Sequence, residues 1–210
     1  MRQETVHLFV FDTLADWEHG FAVASINNPS FQNQPGRYRV QTVAMREDPV
    51  TTIGGVRVLP DLTLDALEPS QSALLILPGG EVWDERGNTE AAEKARVFLD
   101  AGVPVAAICG ATAGLARAGL LDDRRHTSNA PDYLAATNYK GASLYLNQPA
   151  VTDGNLITAS STAPLDFAYH ILRKLDAYPE DILDAWFGLF KTGDPACFAA
   201  LMSLMESTQR

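Results

Sequence analysis

A single stretch near the middle of the chain constrains the fold most strongly. Residues 103–108 form an apolar run of strand character, followed at once by Cys109 and by small residues that suit the start of a helix. An apolar run without polar alternation is typical of a central parallel strand, because helices cover both faces of such a strand. Pro104 must lie at the beginning of that strand, since proline cannot donate to a ladder. The stretch therefore predicts a buried strand, a sharp turn and a helix.

Cys109 occupies the turn between that strand and that helix. Such a turn lies at the carboxyl edge of the sheet and at the amino end of a helix, where free N–H groups and the helix dipole favour a thiolate. Nucleophile elbows have the same geometry. The alternative is that Cys109 is one more small, buried apolar residue, as many free cysteines are. Its place at the corner favours a reactive thiol.

The remaining segments alternate between strand and helix, which is typical of an α/β fold. Turn residues and periodicity predict strands at residues 6–11, 38–44, 72–77, 150–152 and 155–160, with a small hairpin at 51–60. They predict helices at residues 14–27, 61–67, 89–101 and 163–175, and two further helical segments at 180–190 and 194–205. A chain of 210 residues is long enough for one α/β domain, or for one such domain with a small appendage.

The charge of the chain limits its partners. The net charge is −10 at pH 7 and no basic cluster stands out, which argues against binding of nucleic acid or of an anionic membrane. No apolar stretch reaches the length of a membrane span and the first residues lack the features of a signal peptide, so we expect a cytoplasmic protein. Cys109 and Cys197 are far apart in sequence, which indicates neither a disulfide framework nor a cysteine zinc site. We expect neither a metal nor a cofactor.

Five segments together resemble the ThiJ/PfpI superfamily, the class I glutamine amidotransferase-like proteins. They follow the order of that family, span roughly residues 5–175, and are specific as a set. The segments are Phe11-Asp12, Asp16-Trp17-Glu18, Leu77-Pro78-Gly79-Gly80, Ala106-Ala107-Ile108-Cys109-Gly110-Ala111-Thr112 and Gly119-Leu120-Leu121-Asp122-Asp123-Arg124-Arg125.

The resemblance implies a flavodoxin-like α/β fold, a doubly wound parallel-sheet sandwich with its site at the carboxyl edge, where the strand order reverses. The family domain would comprise residues 1–178, and we expect residues 179–210 to be a helical C-terminal extension packed on the same domain. The family also suggests a homodimer that acts on a small-molecule substrate.

The resemblance assigns roles around the cysteine. In the family a glutamate lies beside the sulfur and shares or exchanges a proton with it, and the matching residue is Glu18. Such a half-buried glutamate would have a raised pKa and could act as a general acid or base. The Gly-Gly turn and the residue after the cysteine each lend an N–H to an oxyanion pocket, so we expect Gly80 and Gly110 to supply these donors.

The match weakens after the elbow helix. Family members with a catalytic histidine commonly carry it after an Arg-x-Thr-Thr pattern, and in that register this chain has Asn129, with His126 three places earlier. His126 could activate the thiol as a base, or it could be a structural or surface histidine. Asn129 could orient a substrate or a water, but it cannot accept a proton at neutral pH. Residues 160–164 also lack the histidine and glutamate of true amidotransferases, which argues against glutamine hydrolysis by that triad.

These residues predict a cysteine-dependent enzyme of the ThiJ/PfpI type that acts on a small carbonyl or amide-like substrate, as a hydrolase, a hydratase or a glyoxalase-like enzyme. Cys109 would be the nucleophile and Glu18 its proton partner. A function of a different class fits the same residues, namely a redox or stress-response protein that senses oxidation at Cys109 without catalysis. A third possibility is an inactive member that only scaffolds partners.

Overall fold

A seven-stranded sheet organises the computed structural model, which describes residues 3–208. The strands, in chain order, are β1 (Glu4–Phe9), β2 (Tyr38–Ala44), β3 (Val50–Thr51), β4 (Arg57–Val58), β5 (Leu62–Thr63), β6 (Leu74–Leu77), β7 (Val105–Ile108), β8 (Ala150–Asp153) and β9 (Leu156–Ala159). The sheet order is β5-β2-β1-β6-β7-β9-β8, and β3 pairs with β4 in a separate hairpin. All neighbours in the sheet are parallel except β8 and β9.

Helices flank the sheet in two groups. The helices are α1 (Asp16–Asn27), α2 (Glu81–Asp84), α3 (Thr89–Asp100), α4 (Gly110–Arg117), α5 (Pro131–Ala135), α6 (Pro164–Lys174), α7 (Glu180–Thr192) and α8 (Pro195–Thr208). Helix α1 packs against α6, whereas α4 packs against α2, α3 and α5. This arrangement confirms the predicted flavodoxin-like fold with its C-terminal helices.

The central strands show why the apolar runs fold as they do. Every residue of β6 and of β7 is buried, and the two strands pair in parallel with Ile76 opposite Ala106. A strand covered on both faces needs apolar residues at every position, which is what both sequences provide. The runs therefore fix β6 and β7 in the middle of the sheet.

The parallel strands bring three chain segments to one edge. β1 leads to the start of α1, β6 leads to Gly79 and Gly80, and β7 leads to Cys109. β1 is also the point where the order reverses, because β2 pairs on one side of it and β6 on the other. Open α/β sheets bind ligands outside the carboxyl ends of the strands at such a point.

One predicted helix is wrong. Residues 61–67 do not form a helix: β5 pairs there with β2, and turns follow. Asp61 accepts hydrogen bonds through Oδ2 from the Thr42 N–H at 2.6 Å and from Thr42 Oγ1 at 2.9 Å, and its own N–H donates to the Thr42 carbonyl at 3.0 Å. These bonds to the end of β2 hold the segment extended, and tertiary pairing overrides the local helical pattern.

Helices α7 and α8 confirm the two predicted C-terminal helical segments. Phe21 of α1 contacts Trp186 and Phe190 of α7, with ring centroids 6.5 and 5.5 Å apart, and α8 packs on α7. The proposed domain bounds, 1–178 and 179–210, stay a prediction, and their outermost positions 1, 2, 209 and 210 lie outside the described residues. Within residues 3–208, no helix has the length and apolar character needed to cross a membrane.

Candidate active site

Cys109 occupies a sharp turn between β7 and α4. Its backbone has φ 57° and ψ −125°, a conformation that a residue with a side chain rarely adopts. The turn is held by the Cys109 N–H, which donates to the Ala159 carbonyl at 3.1 Å. It is also held by Thr112, whose N–H and Oγ1 donate to the Cys109 carbonyl at 3.0 and 2.6 Å. The predicted strand–turn–helix at this cysteine is confirmed.

Glu18 projects from the first turn of α1 into the same region. Its side chain is 1% exposed, and its Oε2 accepts a hydrogen bond from the Gly79 N–H at 2.5 Å. Oε1 has no well-aligned hydrogen bond in the part of the chain that the structure describes. The carboxyl lies within reach of the Cys109 thiol, which interacts with it. The structure therefore brings the predicted acid and the predicted nucleophile together.

The acid and the thiol influence each other's protonation. Burial raises the pKa of Glu18 from 4.5 to about 7, and the bonds from Gly79 and Cys109 only partly oppose this rise. Burial and the negative charge of Glu18 raise the pKa of the Cys109 thiol to about 12, although Asn129 and the Gly110 N–H lower it. The sequence favoured a thiolate at this helix end, but desolvation outweighs the helix dipole. The thiol is the favoured form while Glu18 is ionised.

Gly79 makes the approach of these two groups sterically possible. A Cβ placed on Gly79 would lie 2.6 Å from the Cβ of Cys109, 2.8 Å from Glu18 Oε2 and 2.9 Å from the Gly110 nitrogen. A real Cβ cannot occupy that space without displacing its neighbours. Sequence reasoning assigned the turn to an oxyanion pocket and missed that Gly79 also binds the acid through its N–H.

The two predicted oxyanion donors, Gly80 and Gly110, directly follow Gly79 and Cys109 in the chain. Gly80 follows Gly79 directly, with extended backbone and partial exposure, and Gly110 begins α4. The Gly110 N–H interacts with the Cys109 sulfur. The oxyanion role of Gly80 and Gly110 stays a prediction.

Asn129, rather than His126, lies beside the cysteine. Its Nδ2 donates to the Cys109 sulfur at 3.4 Å, while its Oδ1 accepts from the Ser161 N–H at 2.9 Å. Because the Ser161 N–H can only donate, it fixes which end of the amide faces the sulfur. The position where the family pattern expects histidine therefore supplies an oriented N–H donor.

The structure does not place His126 at the thiol. The ring is fully buried, with Nδ1 2.7 Å from the Arg124 carbonyl oxygen and Nε2 3.0 Å from the Tyr139 hydroxyl. It also packs edge-on against Tyr139 and Tyr145. Both ring nitrogens are occupied away from Cys109, so the geometry favours the structural alternative over an activating base.

Tyr133 and Asp84 are neighbours of the site that sequence reasoning missed. The Tyr133 hydroxyl donates to Asp84 Oδ1 at 2.5 Å, and the phenol interacts electrostatically with Cys109. Burial, then Asp84, raise the Tyr133 pKa far above its ordinary value of 10. No sequence signal marks them, since Tyr133 comes from the short helix α5 and Asp84 from α2. Among the residues from 3 to 208, no group of three or more His, Cys, Asp and Glu side chains could hold a metal ion.

Proteins of known family resemble this chain over most of its length. The sequence profile of the DJ-1/PfpI family matches residues 4–174, which include Glu18, Gly79, Cys109 and Asn129. The thiJ/pfpI family protein from Bacillus anthracis has a similar crystal structure, with a TM-score of 0.90, 42% identity and 97% of each chain covered.

Named relatives point to catalysis in this family. The chain is 42% identical over 209 residues to the uncharacterized protease YoaZ of Bacillus subtilis, covering 98% of this chain and 100% of that protein. It is 30% identical over 125 residues to the deglycase PfpI of Pyrococcus furiosus, covering 58% of this chain and 73% of that protein.

Proposed function

The chain belongs to the DJ-1/PfpI family, and we propose that it is a cysteine-dependent enzyme that acts on a small carbonyl or amide-like substrate. One observation carries the proposal: a buried carboxyl with a pKa near neutrality lies within reach of a cysteine on a strained strand-to-helix turn. A general base works best when its pKa is close to the operating pH. Strained backbone at such a turn is typical of active sites.

In the proposed first step, the Cys109 sulfur attacks the carbonyl carbon of the substrate. The thiol proton passes to the Glu18 carboxylate, a C–S bond forms, and the electron pair of the C=O double bond moves to oxygen. The raised thiol pKa suits this step, because the thiol is then deprotonated only as it reacts. The Gly80 and Gly110 N–H groups are the proposed donors to the developing oxyanion.

The second step depends on the substrate. With an aldehyde or ketone, protonated Glu18 returns its proton to the oxyanion and completes a thiol adduct. With an amide-like substrate, Glu18 instead protonates the departing nitrogen as the C–N bond breaks, which leaves a thioester. Water then forms a C–O bond and gives its proton to Glu18 as the C–S bond breaks, and the thiolate recovers a proton from Glu18. The relatives named protease and deglycase support bond cleavage at such carbons.

Asn129 stands where the family pattern has a histidine, and in this mechanism it orients groups at the site and carries no proton. Its amide N–H faces the sulfur and cannot accept the thiol proton, so Glu18 is the proposed sole proton carrier. Tyr133 lies near the sulfur with its hydroxyl bonded to Asp84, and we assign it to the wall that receives the substrate.

The alternative of an oxidation sensor has less support from the geometry. Thiol oxidation by peroxides proceeds through the thiolate, and a sensor cysteine is therefore usually exposed with a low pKa. Cys109 is partly buried and its thiol pKa is raised. Partial burial and the raised thiol pKa favour the enzymatic proposal, whereas Asn129 in place of the family histidine favours a sensor. Homodimer formation, the cytoplasmic location and the scaffold alternative stay predictions.

The proposal is tested by separating thiol reactivity from turnover in Glu18→Gln. Removing the carboxylate charge lowers the thiol pKa, so iodoacetamide should alkylate Cys109 faster at pH 8. Hydrolysis of a small 4-nitroanilide should fall by about 10²-fold or more, because the general base is lost. Glu90→Gln, an exposed change at the start of α3, is the matched control and should alter neither rate. Full turnover by Glu18→Gln, or turnover that survives Cys109→Ser, would overturn the proposal.

A further inference from the structure

A cleft between the edge strand β8 and the C-terminal end of α6 is lined by positive charge. Its cavity volume is about 550 Å³, and Arg125, Arg173 and Lys174 line it together with His170 and Thr152. None of the lining residues that the structure describes carries a carboxylate. Cys109 does not line this cleft, so it is separate from the candidate active site.

The cleft is lined by cations although the chain as a whole is acidic. The sequence has 16 lysines and arginines against 26 aspartates and glutamates, and it shows no linear basic cluster. In the folded protein a basic cluster forms, because Arg125, from the loop after α4, lines the same cleft as Arg173 and Lys174 at the end of α6. Three cations line one concavity, and the carboxylates of Asp153 and Glu180 partly neutralise two of them.

These cations keep N–H donors available for a ligand. Arg125 lies 3.5 Å from Asp153 and Arg173 lies 3.6 Å from Glu180, and both arginine side chains are more than 60% exposed, at 62% and 65%. Exposed ion pairs with this geometry contribute little and are easily exchanged. Lys174 donates one N–H to the Gly154 carbonyl at 3.0 Å and retains two others.

The remainder of the cleft is a fixed wall with an apolar floor. His170 Nδ1 lies 2.7 Å from Thr152 Oγ1, which ties α6 to β8 across the cleft. Burial lowers the pKa of His170, with Arg173 acting in the same direction and Asp166 opposing, so the ring is neutral at neutral pH. Ala150, Val151 and Leu146 supply apolar surface beneath the cations.

From this combination we infer that the cleft between β8 and α6 binds a small phosphomonoester with an apolar body. The dianionic head contacts Arg125, Arg173 and Lys174, since guanidinium groups bind phosphate oxygens in bidentate fashion. The apolar body lies on Ala150 and Val151. The volume of the cleft exceeds that of a bare phosphate ion, which leaves room for the apolar part.

Phenyl phosphate is the probe for this site, with inorganic phosphate and benzyl alcohol as partial analogues. Calorimetric titration at low ionic strength should show saturable binding of phenyl phosphate, at least tenfold tighter than that of either analogue. The four histidines of the chain give a local readout by NMR. Phenyl phosphate should shift the ring resonances of His170 and leave those of His7, His19 and His126 unchanged.

A matched pair of double variants separates the site from general charge. Arg173→Gln with Lys174→Gln should weaken phenyl phosphate binding at least tenfold, and Arg125→Gln alone should weaken it severalfold. Arg46→Gln with Arg57→Gln removes the same charge elsewhere on the surface and should change nothing. Cys109→Ser should bind as the wild type does, which separates this site from the proposed enzyme. Absence of saturable binding, equal losses in both double variants, or equal binding of benzyl alcohol would overturn the inference.

Discussion

Glu18 and Cys109 approach each other over the backbone of Gly79. A Cβ on Gly79 would lie 2.8 Å from an oxygen of Glu18 and 2.6 Å from the Cβ of Cys109, and the Gly79 N–H binds that same oxygen. The backbone of Gly79 thus lies between the acid and the thiol, and its N–H also hydrogen-bonds the acid. A side chain at this position would force them apart.

Gly79→Ala should therefore destabilise the protein by about 1–3 kcal/mol, because the added methyl overfills a packed centre. Urea unfolding measures the change, and turnover should fall with it. Gly20→Ala is the control, since Gly20 lies in α1 with no heavy atom within 4 Å of an added Cβ. That variant should gain roughly 0.5–1 kcal/mol from helix propensity. Wild-type stability and turnover in Gly79→Ala would contradict the packing seen at the site.

Asn129→Ala should raise the thiol pKa further, because the amide N–H is one of the groups that lower the pKa of Cys109. At fixed pH the alkylation rate of Cys109 should fall severalfold, up to about tenfold for one pKa unit. Asn155→Ala is the control, since its side chain binds the Gly102 carbonyl at 2.7 Å and has no contact with the site. Unchanged alkylation in Asn129→Ala would show that the amide does not act on the sulfur.

His126→Ala should reduce stability without changing the thiol. The variant removes a buried ring with two hydrogen bonds and two aromatic contacts, which costs about 2–4 kcal/mol. The pH profile of Cys109 alkylation should superimpose on that of the wild type. A shifted profile would instead place His126 in the mechanism as an activating base.

Acid should destabilise the protein through His7. Burial lowers the pKa of His7 from 6.5 to about 4, with Arg39 acting in the same direction and Asp61 opposing. Between pH 6.5 and pH 4 the unfolded chain binds the His7 proton more readily than the folded protein does. The stabilisation from neutral His7 is therefore complete above pH 6.5 and is lost as the pH falls through 4. Relative to His7→Gln, the wild type should lose about 3 kcal/mol between pH 7.5 and pH 4, measured by urea unfolding of both proteins. His7→Gln should lose less over that range, and an identical slope would contradict the shifted pKa.

Titration of Glu18 should stabilise the folded protein at low pH, which is opposite to the effect of His7. Its pKa is raised from 4.5 to about 7, so the folded protein holds the proton more tightly than the unfolded chain. The stabilisation is complete below pH 4.5 and is lost as the pH rises through 7. Between pH 5 and pH 8 the urea midpoint of the wild type should therefore fall relative to that of Glu18→Gln, because only the wild type loses this stabilisation. Parallel curves for the two proteins would show that Glu18 titrates normally.

The sequence predicts the sheet well where one physical requirement dominates. Strands β6 and β7 are apolar at every position because helices cover both faces, and Cys109 follows the second of them. Residues 61–67 are predicted wrongly because a carboxylate at Asp61 binds the end of a distant strand, which no local pattern reveals. Local propensity thus predicts the wrong secondary structure where a long-range contact determines it.

The active site likewise has features that a local sequence pattern predicts and features that only the whole fold determines. The corner at Cys109 follows from its own neighbours, and Glu18 is found only through the resemblance to a family. The protonation of the pair depends on burial by the whole fold, so the helix dipole alone predicts the wrong form of the thiol. Distance in the chain also hides Ser161 as the partner that orients Asn129, since 32 residues separate them.

The aromatic contact between Phe21 and Trp186 joins the acid's helix to a segment beyond the family match, which ends at residue 174. Changes in α7 can therefore move α1, and with it the depth at which Glu18 is buried. Because burial sets the proton affinity of Glu18, substitutions in α7 that shift α1 should change the pKa of Glu18 without altering any residue beside Cys109.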